Sequence, residues 1–237
     1  MTIDLNCDLG EGEPPARTRA LMRSIGSANV ACGGHAGDAA TLRATVALAR
    51  RYGVRLGAHP GPWNRASMGR GSVGVSADDL ELLLLHQVGA ISAVAAVERV
   101  RLHHIKLHGA LYHAVEADAR LARTYVRTVG TYWPRAAIYA MAGGRVVDLA
   151  RRMGVACLAE AFVDRAYRPD GRLVERDRAG AVISDVKAAE RRVRDLMSGR
   201  GLTAIDGTRI VFRVDTLCIH ADTPDAPRLA RAVARLL

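Results

Sequence analysis

The stretch Ala28-Asn-Val-Ala-Cys-Gly-Gly-His-Ala-Gly-Asp38, with the helical run to Gly53 and the segment Val54-Arg-Leu-Gly-Ala58 behind it, decides the fold. Ala28 to Cys32 is a short apolar run of strand length. It empties through small residues into Asp38, a side chain suited to cap a helix. That helix carries Leu42, Val46, Leu48 and Ala49 and stops at Gly53, which tolerates the left-handed conformation of a helix end. A second apolar run, Val54 to Ala58, follows at once and ends in His59-Pro60. Strand, capped helix, glycine and strand make up the unit of a parallel β/α domain.

The same alternation extends in both directions. Ile3 to Leu9 reads as a strand before this unit. Arg101 to Leu107, Ala137 to Met141, Val155 to Glu160 and Val211 to Ile219 read as strands after it. Between them, Ser76 with Asp79 three residues on is a capping-box start for a helix burying Leu80, Leu83, Leu84, Val88 and Ile91. Further helical spacing appears at Leu121, Tyr125 and Val129, at Val146, Leu149 and Ala150, and at Val186, Ala189, Val193, Leu196 and Met197. A last helix runs from about Arg228 to Leu237. Asp206-Gly207 between Ile205 and Ile210-Val211 signals one antiparallel hairpin. About seven strands in 237 residues, with no linker or internal repeat, predict a single domain over 1–237. Its fold class is α/β, an irregular TIM-like (β/α) barrel, with a doubly wound open sheet as the alternative.

Composition narrows the function classes. The chain is 49% hydrophobic but only 4% aromatic, so its core must be mostly Ala, Val, Leu and Ile. The net charge is +10, carried by arginines scattered along helical runs, among them Arg43, Arg50, Arg51, Arg191, Arg192 and Arg194. No basic run is interleaved with stacking aromatics, which argues against a nucleic-acid partner. The four cysteines (Cys7, Cys32, Cys157 and Cys218) form no CxxC pair and read as buried free thiols of a reducing compartment. The opening residues Met1-Thr2-Ile3-Asp4 lack a basic n-region, and apolar runs are broken by charge or His, so neither a signal peptide nor a membrane span is expected. The expectation is a cytoplasmic protein.

The chemistry gathers where strands end. The first strand runs into Asp8-Leu-Gly-Glu11, the second into His35 and Asp38, and the third into His59. The fourth ends in Lys106-Leu-His108, the sixth in Glu160 followed by Asp164-Arg165, and the last in His220-Ala-Asp222. All strand C-termini of a parallel barrel lie on one rim, where barrels keep their active sites. One such residue has a structural explanation, and Asp38 alone is a helix cap, but the recurrence at six ends predicts a functional cluster. Lys106 adds a hint, because Lys187 is the only other lysine and sits in a charged helical run. Two matches mislead. Gly69-Arg-Gly71-Ser-Val-Gly74 fits a dinucleotide fingerprint but follows a polar stretch and not a strand, so it reads as a mobile loop over the site. His103-His104 looks like a metal pair, but neighbours on a strand face opposite sides, so one is expected in solvent. There is no G-x-x-x-x-G-K-[ST] phosphate loop.

On these residues the sequence resembles the LamB/YcsF family, the A subunits of bacterial ATP-dependent 5-oxoprolinase. The matching segments are Asp4-Leu-Asn-Cys-Asp-Leu-Gly-Glu11, Ser27 to Asp38, Gly57-Ala-His-Pro60, Lys106 to Tyr112, Glu160 to Tyr167, Asp170 to Arg176, Gly180 to Ile183 and Cys218 to Pro224. The resemblance implies a barrel related to the glycoside hydrolase/deacetylase superfamily. It also implies cleavage of 5-oxo-L-proline to L-glutamate coupled to ATP hydrolysis, with partner subunits B and C handling the nucleotide wholly or in part. The chain departs from the family's usual residues at Gly34, Leu107, Ala221 and His113, and Gly34 is expected to open space beside His35.

Ring opening of a lactam needs a base for water, an acid for the leaving nitrogen and cations for the oxyanion. Asp8, His35, His59, Lys106 and His108 are the candidate catalytic residues, with Lys106 as oxyanion or phosphate stabiliser. Glu11, Asp38, Glu160, Asp164, Arg165, His220 and Asp222 are the candidate substrate-binding or orienting residues, with Arg165 on the substrate carboxylate. No metal ligand is assigned, and a divalent metal stays open. The rival is a metal-dependent hydrolase or deacetylase using Asp8, His35 and His59. A non-catalytic scaffold and a homo-oligomer stay open as well.

Overall fold

The computed structural model describes residues 3–71 and 73–237; Met1, Thr2 and Ser72 lie outside, so the Gly69–Gly74 loop is described except at Ser72. The elements in chain order are β1 (Asp4–Leu9), α1 (Pro15–Met22), β2 (Ser27–Ala31), α2 (Ala39–Tyr52), β3 (Arg55–His59), α3 (Ala77–Val97), β4 (Leu102–Ile105), α4 (Gly109–Ala117) and α5 (Ala119–Tyr132). They continue with β5 (Ala137–Met141), α6 (Arg145–Met153), β6 (Cys157–Phe162), α7 (Val186–Met197), β7 (Leu202–Thr203), β8 (Arg209–Ile210), β9 (Thr216–His220) and α8 (Ala226–Ala234). Seven strands close a parallel barrel in the order β1-β2-β3-β4-β5-β6-β9. Closure is made by β9, which pairs with both β1 and β6, so the open-sheet alternative is excluded. The hairpin at Asp206-Gly207 is the antiparallel pair β7–β8, outside the barrel.

All seven barrel strands lie where the sequence shows apolar runs. Helix α2 carries its Asp38 cap, with Thr41 N–H donating to Oδ1 at 2.7 Å, and ends on Gly53 at φ 67°. Helix α3 carries the Ser76/Asp79 capping box. Two helices have no counterpart in the sequence reading. Helix α1 opens with Pro15 at its first position and buries only Thr18, Leu21 and Met22. Helix α4 starts at Gly109 directly behind β4, is nine residues long and opens without a side-chain cap.

The alternation within the strands positions the site. In β1, Leu5, Cys7 and Leu9 face the helices and join the aliphatic core, while Asn6 and Asp8 point into the barrel. There they meet polar side chains from other strands. Asn6 Nδ2 donates to Thr216 Oγ1 (2.8 Å), and Asn29 Nδ2 donates to Asn6 Oδ1 and Asp8 Oδ1 (2.7 Å each). His104 Nε2 bonds Asn29 Oδ1 at 2.6 Å, and its ring stacks on Tyr139 with centroids 3.8 Å apart. The aliphatic core therefore lies between strands and helices, and the lumen is a hydrogen-bonded polar column. Burying polar groups is tolerated because each finds a partner. Gly57 makes room for the column: a Cβ there would fall 2.0 Å from His104 Nε2.

The His103-His104 expectation changes. The β3–β4 register shifts between Leu56 and Gly57, leaving His103 as an extra residue opposite the step. Such a bulge re-aims a side chain. Both rings reach Tyr139, and their Nδ1 atoms are 3.2 Å apart. The premise that every apolar run is broken by charge or His also needs correction. Helix α3 is long and apolar enough to span a bilayer by length and composition. In the fold it is a layer helix, with Leu80, Leu84, Val88 and Ile91 fully buried in the core. Lys187 is exposed, as its charged surroundings predict, and the four cysteines are free, with Cys157 only partly buried.

Candidate active site

The C-terminal rim of the barrel opens into a cavity of about 840 Å³ whose walls include Asp8, His59, Lys106, His108, Arg165 and His220. Register explains the meeting. Asp8 pairs with His220 across β1–β9, and His59 is the last residue of β3. Lys106 and His108 leave β4 with backbone N–H groups held by Ala58 O and Pro60 O.

On the cavity floor, Lys106 Nζ donates to Asp8 Oδ1 (2.8 Å), lies 3.2 Å from Glu160 Oε1 and touches Cys218 Sγ at 3.0 Å. Burial by itself would lower the Lys106 pKa, but Asp8, Cys218 and Glu160 outweigh it and hold the ammonium well above the usual lysine range. Burial would likewise raise Asp8, but the charges of His59 and Lys106 outweigh it and keep a carboxylate well below its usual range. The fixed cation and anion make this floor a polariser rather than a proton donor at neutral pH. Glu160 is fully buried behind Lys106. Neither of its oxygens has a hydrogen bond of good geometry among the described residues, and neither does Tyr112 Oη on the cavity wall.

A second group holds an imidazole in a fixed orientation. Both oxygens of Asp164 lie 3.1 Å from His220 Nδ1, and Oδ2 also accepts from His220 N–H (2.9 Å) and Thr223 Oγ1 (2.6 Å). Burial pushes Asp164 up, but His220 and these bonds prevail and keep it ionised. A carboxylate so fixed puts the proton of neutral His220 on Nδ1 and bares Nε2, which lies 3.9 Å from Asp8 Oδ2. That is the orientation of a general base.

The third group is a knot of imidazoles. His59 Nδ1 donates to Lys106 O and His108 Nε2 to Met68 O, both at 2.8 Å. The other ring nitrogens, His59 Nε2 and His108 Nδ1, face each other at 2.9 Å. Glu11 Oε1 is 3.0 Å from His108 Nδ1 and 3.6 Å from His59 Nε2. Asp8 Oδ2 approaches His59 Nε2 from the floor at 3.3 Å. His35 stacks on His108 with centroids 3.5 Å apart and places Nε2 2.9 Å from Glu11 Oε1. Its Nδ1 is buried without a partner among the described residues, and burial lowers its pKa to about 4. Glu13 braces the turn that carries Glu11 by accepting from Gly10 and Glu11 N–H.

Arginines line the outer wall. Arg165 is 7% exposed, its Nη2 donates to Val174 O, and no carboxylate lies within ion-pair distance among the described residues. Its Nε lacks any partner among them. Arg70 and Arg176 share Asp222 at the mouth.

Of the residues read from sequence, Asp8, His59, Lys106, His108, Arg165 and His220 line the cavity. Glu11, His35, Glu160 and Asp164 stand behind them as partners. Asp222 clamps two arginines at the rim and is itself partly exposed. Asp38 stays out of the cavity and only caps α2. The space expected at Gly34 does not exist: a Cβ there would lie 2.4 Å from Gln87 Nε2 and from Gly61 O. The Gln87 amide fills it, bonding Gly61 N–H and O. The Gly69–Gly74 loop does reach the site: Gly69 O accepts from Ala110 N–H at 2.9 Å, and Arg70 lines the cavity. Tyr112, Phe162 and Arg176 also line the cavity, although the sequence reading does not single them out. Tyr112 has a signal: it stands one helical turn behind His108.

Comparison with known proteins identifies the family of this barrel. Residues 3–237 match the model of the LamB/YcsF family. The A subunit of 5-oxoprolinase from Pyrococcus furiosus is 40% identical over 240 residues, covering 100% of this chain and 94% of that protein. The protein of the same name from Bordetella pertussis is 40% identical over 98% of this chain and 93% of its own length. The crystal structure of the "Lactam Utilization Protein" from Thermus thermophilus superposes with a TM-score of 0.90 at 36% identity, covering 99% and 95% of the two chains. A barrel of this topology, matched along nearly its whole length, belongs to the LamB/YcsF family.

Proposed function

We propose that this chain is the ring-opening subunit for a small anionic lactam, with 5-oxo-L-proline as substrate and L-glutamate as product. It would act in a complex with partner subunits B and C that couple the reaction to ATP. The relatives named as A subunits of 5-oxoprolinase support the substrate and the subunit role. The observation that carries the reading is Arg165. A guanidinium at 7% exposure without an anion calls for one from outside. A carboxylate on the lactam ring supplies it in a bidentate contact.

The remaining groups fit the chemistry. With the carboxylate on Arg165, the ring amide faces the floor, where the Lys106 ammonium offsets charge developing on its oxygen. His220, oriented by Asp164, takes a proton from the attacking water and returns it to the leaving nitrogen. The sequence contains no phosphate-binding glycine loop, so nucleotide binding falls to the partners in this reading.

The test is glutamate release from 5-oxoproline and ATP by the chain together with its partner subunits. Neutral 2-pyrrolidinone, which lacks the carboxylate, should be poorer by at least about tenfold in kcat/KM, the size of one charge-assisted contact. Equal turnover of the two lactams would sink the assignment of Arg165.

A further inference from the structure

We infer that Glu11, His59 and His108 form a binding site for one first-row transition dication, zinc being the best fit, with His35 positioning Glu11. The inference does not depend on the lactam reading.

The argument starts from hydrogen positions that the backbone dictates. Carbonyl oxygens only accept, so Lys106 O fixes the proton of His59 on Nδ1, and Met68 O fixes that of His108 on Nε2. In the neutral rings, His59 Nε2 and His108 Nδ1 are then bare lone pairs, and they lie 2.9 Å apart. Glu11 Oε1 joins them at 3.0 and 3.6 Å. Three acceptors aimed at one point repel unless a cation lies between them. Protons fill the space poorly: one would join His59 to His108, and a second would still be needed between His108 and Glu11. A single dication answers all three.

The dimensions agree. The circle through the three atoms has a radius of about 1.9 Å, so an ion at zinc-like bond lengths of about 2.0–2.1 Å sits less than about 1 Å above their plane. Two imidazoles and a carboxylate select zinc and its neighbours over calcium or magnesium. The partners behind them match as well: each histidine donates its outer N–H to a carbonyl, which fixes the ring and raises its basicity. His35 also belongs to this four-residue group, whose ligand atoms all lie within 4.8 Å. Its ring lies parallel to that of His108, 3° between planes, so both rings cannot aim at one ion. His35 is therefore the donor to Glu11 Oε1 (2.9 Å), with a bare Nδ1 behind it. His59 and His108 line the cavity, so the open side of the ion takes an oxygen ligand from there, water or a substrate carbonyl.

The experiment uses the full chain carrying no histidine tag. Metal content is measured by plasma mass spectrometry as purified. The chain is then stripped with chelator and titrated with Zn²⁺ by calorimetry and with Co²⁺ by visible absorption. One equivalent per chain is expected, with cobalt bands of nitrogen–oxygen ligation and a higher Tm on zinc addition. His59→Ala and His108→Ala should lose the equivalent, and the surface variant His86→Ala should keep it. His35→Asn should retain one equivalent at an affinity weaker by roughly 10- to 100-fold, the usual effect of removing an orienting partner. Less than a tenth of an equivalent in the wild-type chain after reconstitution, with no change in Tm, overturns the site even if a ligand variant fails to fold. Stoichiometric binding that survives in a folded His59→Ala/His108→Ala chain overturns it equally. Both readouts omit lactam, so the ring-opening assay can fail without touching this result.

Discussion

Arg165 and Asp164 are neighbours in sequence, yet they do opposite work. Arg165 offers a charge without a partner, and Asp164 commits its oxygens to His220 and Thr223. Replacing Arg165 by Met should raise KM for the anionic lactam by roughly 10- to 100-fold, the size of a charged hydrogen-bonded contact, with a smaller change in kcat. Arg165→Lys should recover only part, since an ammonium cannot make the planar two-point contact. Asp164→Asn should act on kcat instead, lowering it by about 10²-fold or more while KM holds, because the amide no longer fixes the His220 tautomer. Steady-state kinetics of the reconstituted complex separate the two patterns, and a shared KM effect would merge the roles assigned here. Gly34 shows what a residue-scale reading misses. The missing side chain suggested open space, but Gln87, 53 residues further along, fills it. Gly34→Phe should cost about 1–3 kcal/mol by overpacking against the Gln87 amide and the Gly61 carbonyl, measurable by urea unfolding.

Elements were legible where their signals are local. The Asp38 cap, the Gly53 stop and the Ser76/Asp79 box are each written within a few residues, and each appears in the fold. Helix α4 was not legible, because it opens on Gly109 without a side-chain cap and its apolar residues are not confined to one face. The bulge at His103 was hidden for a different reason: it is a mismatch between two strands, and neither strand alone records it. The caps also bear on a question of role. Asp38 was a candidate for substrate binding, but its carboxylate is committed to Thr41 N–H. Asp38→Ala should therefore lower unfolding stability by about 1 kcal/mol and leave kcat and KM unchanged. A selective loss of activity at unchanged stability would return Asp38 to the site.

At the scale of the whole molecule, closure of seven strands gathers the site, and the polar column in the lumen supports it. The gathering was readable, because parallel strands share one rim. The column was not, because it depends on which alternate residues face inward once the barrel closes. It carries a pH dependence of its own. His104 is fully buried, donates Nε2–H to Asn29 Oδ1 and stacks on Tyr139. Burial, reinforced by the charges of His103 and Lys106, holds its pKa well below the ordinary 6.5. The folded chain thus keeps this ring neutral at a pH where the unfolded chain protonates it. The contribution is complete above about pH 6.5 and falls by about 1.4 kcal/mol for each pH unit below that, down to the folded-state value. Asp8 and Glu11, whose pKa values are held low, add to the loss only in the carboxylate range near pH 4 and below. Between pH 6.5 and 5, urea unfolding of the wild type should therefore lose stability faster than His104→Gln does, by about 1 kcal/mol per pH unit. Parallel curves for the two chains would mean that the lumen accepts a charged ring, and the neutral column described here would be wrong.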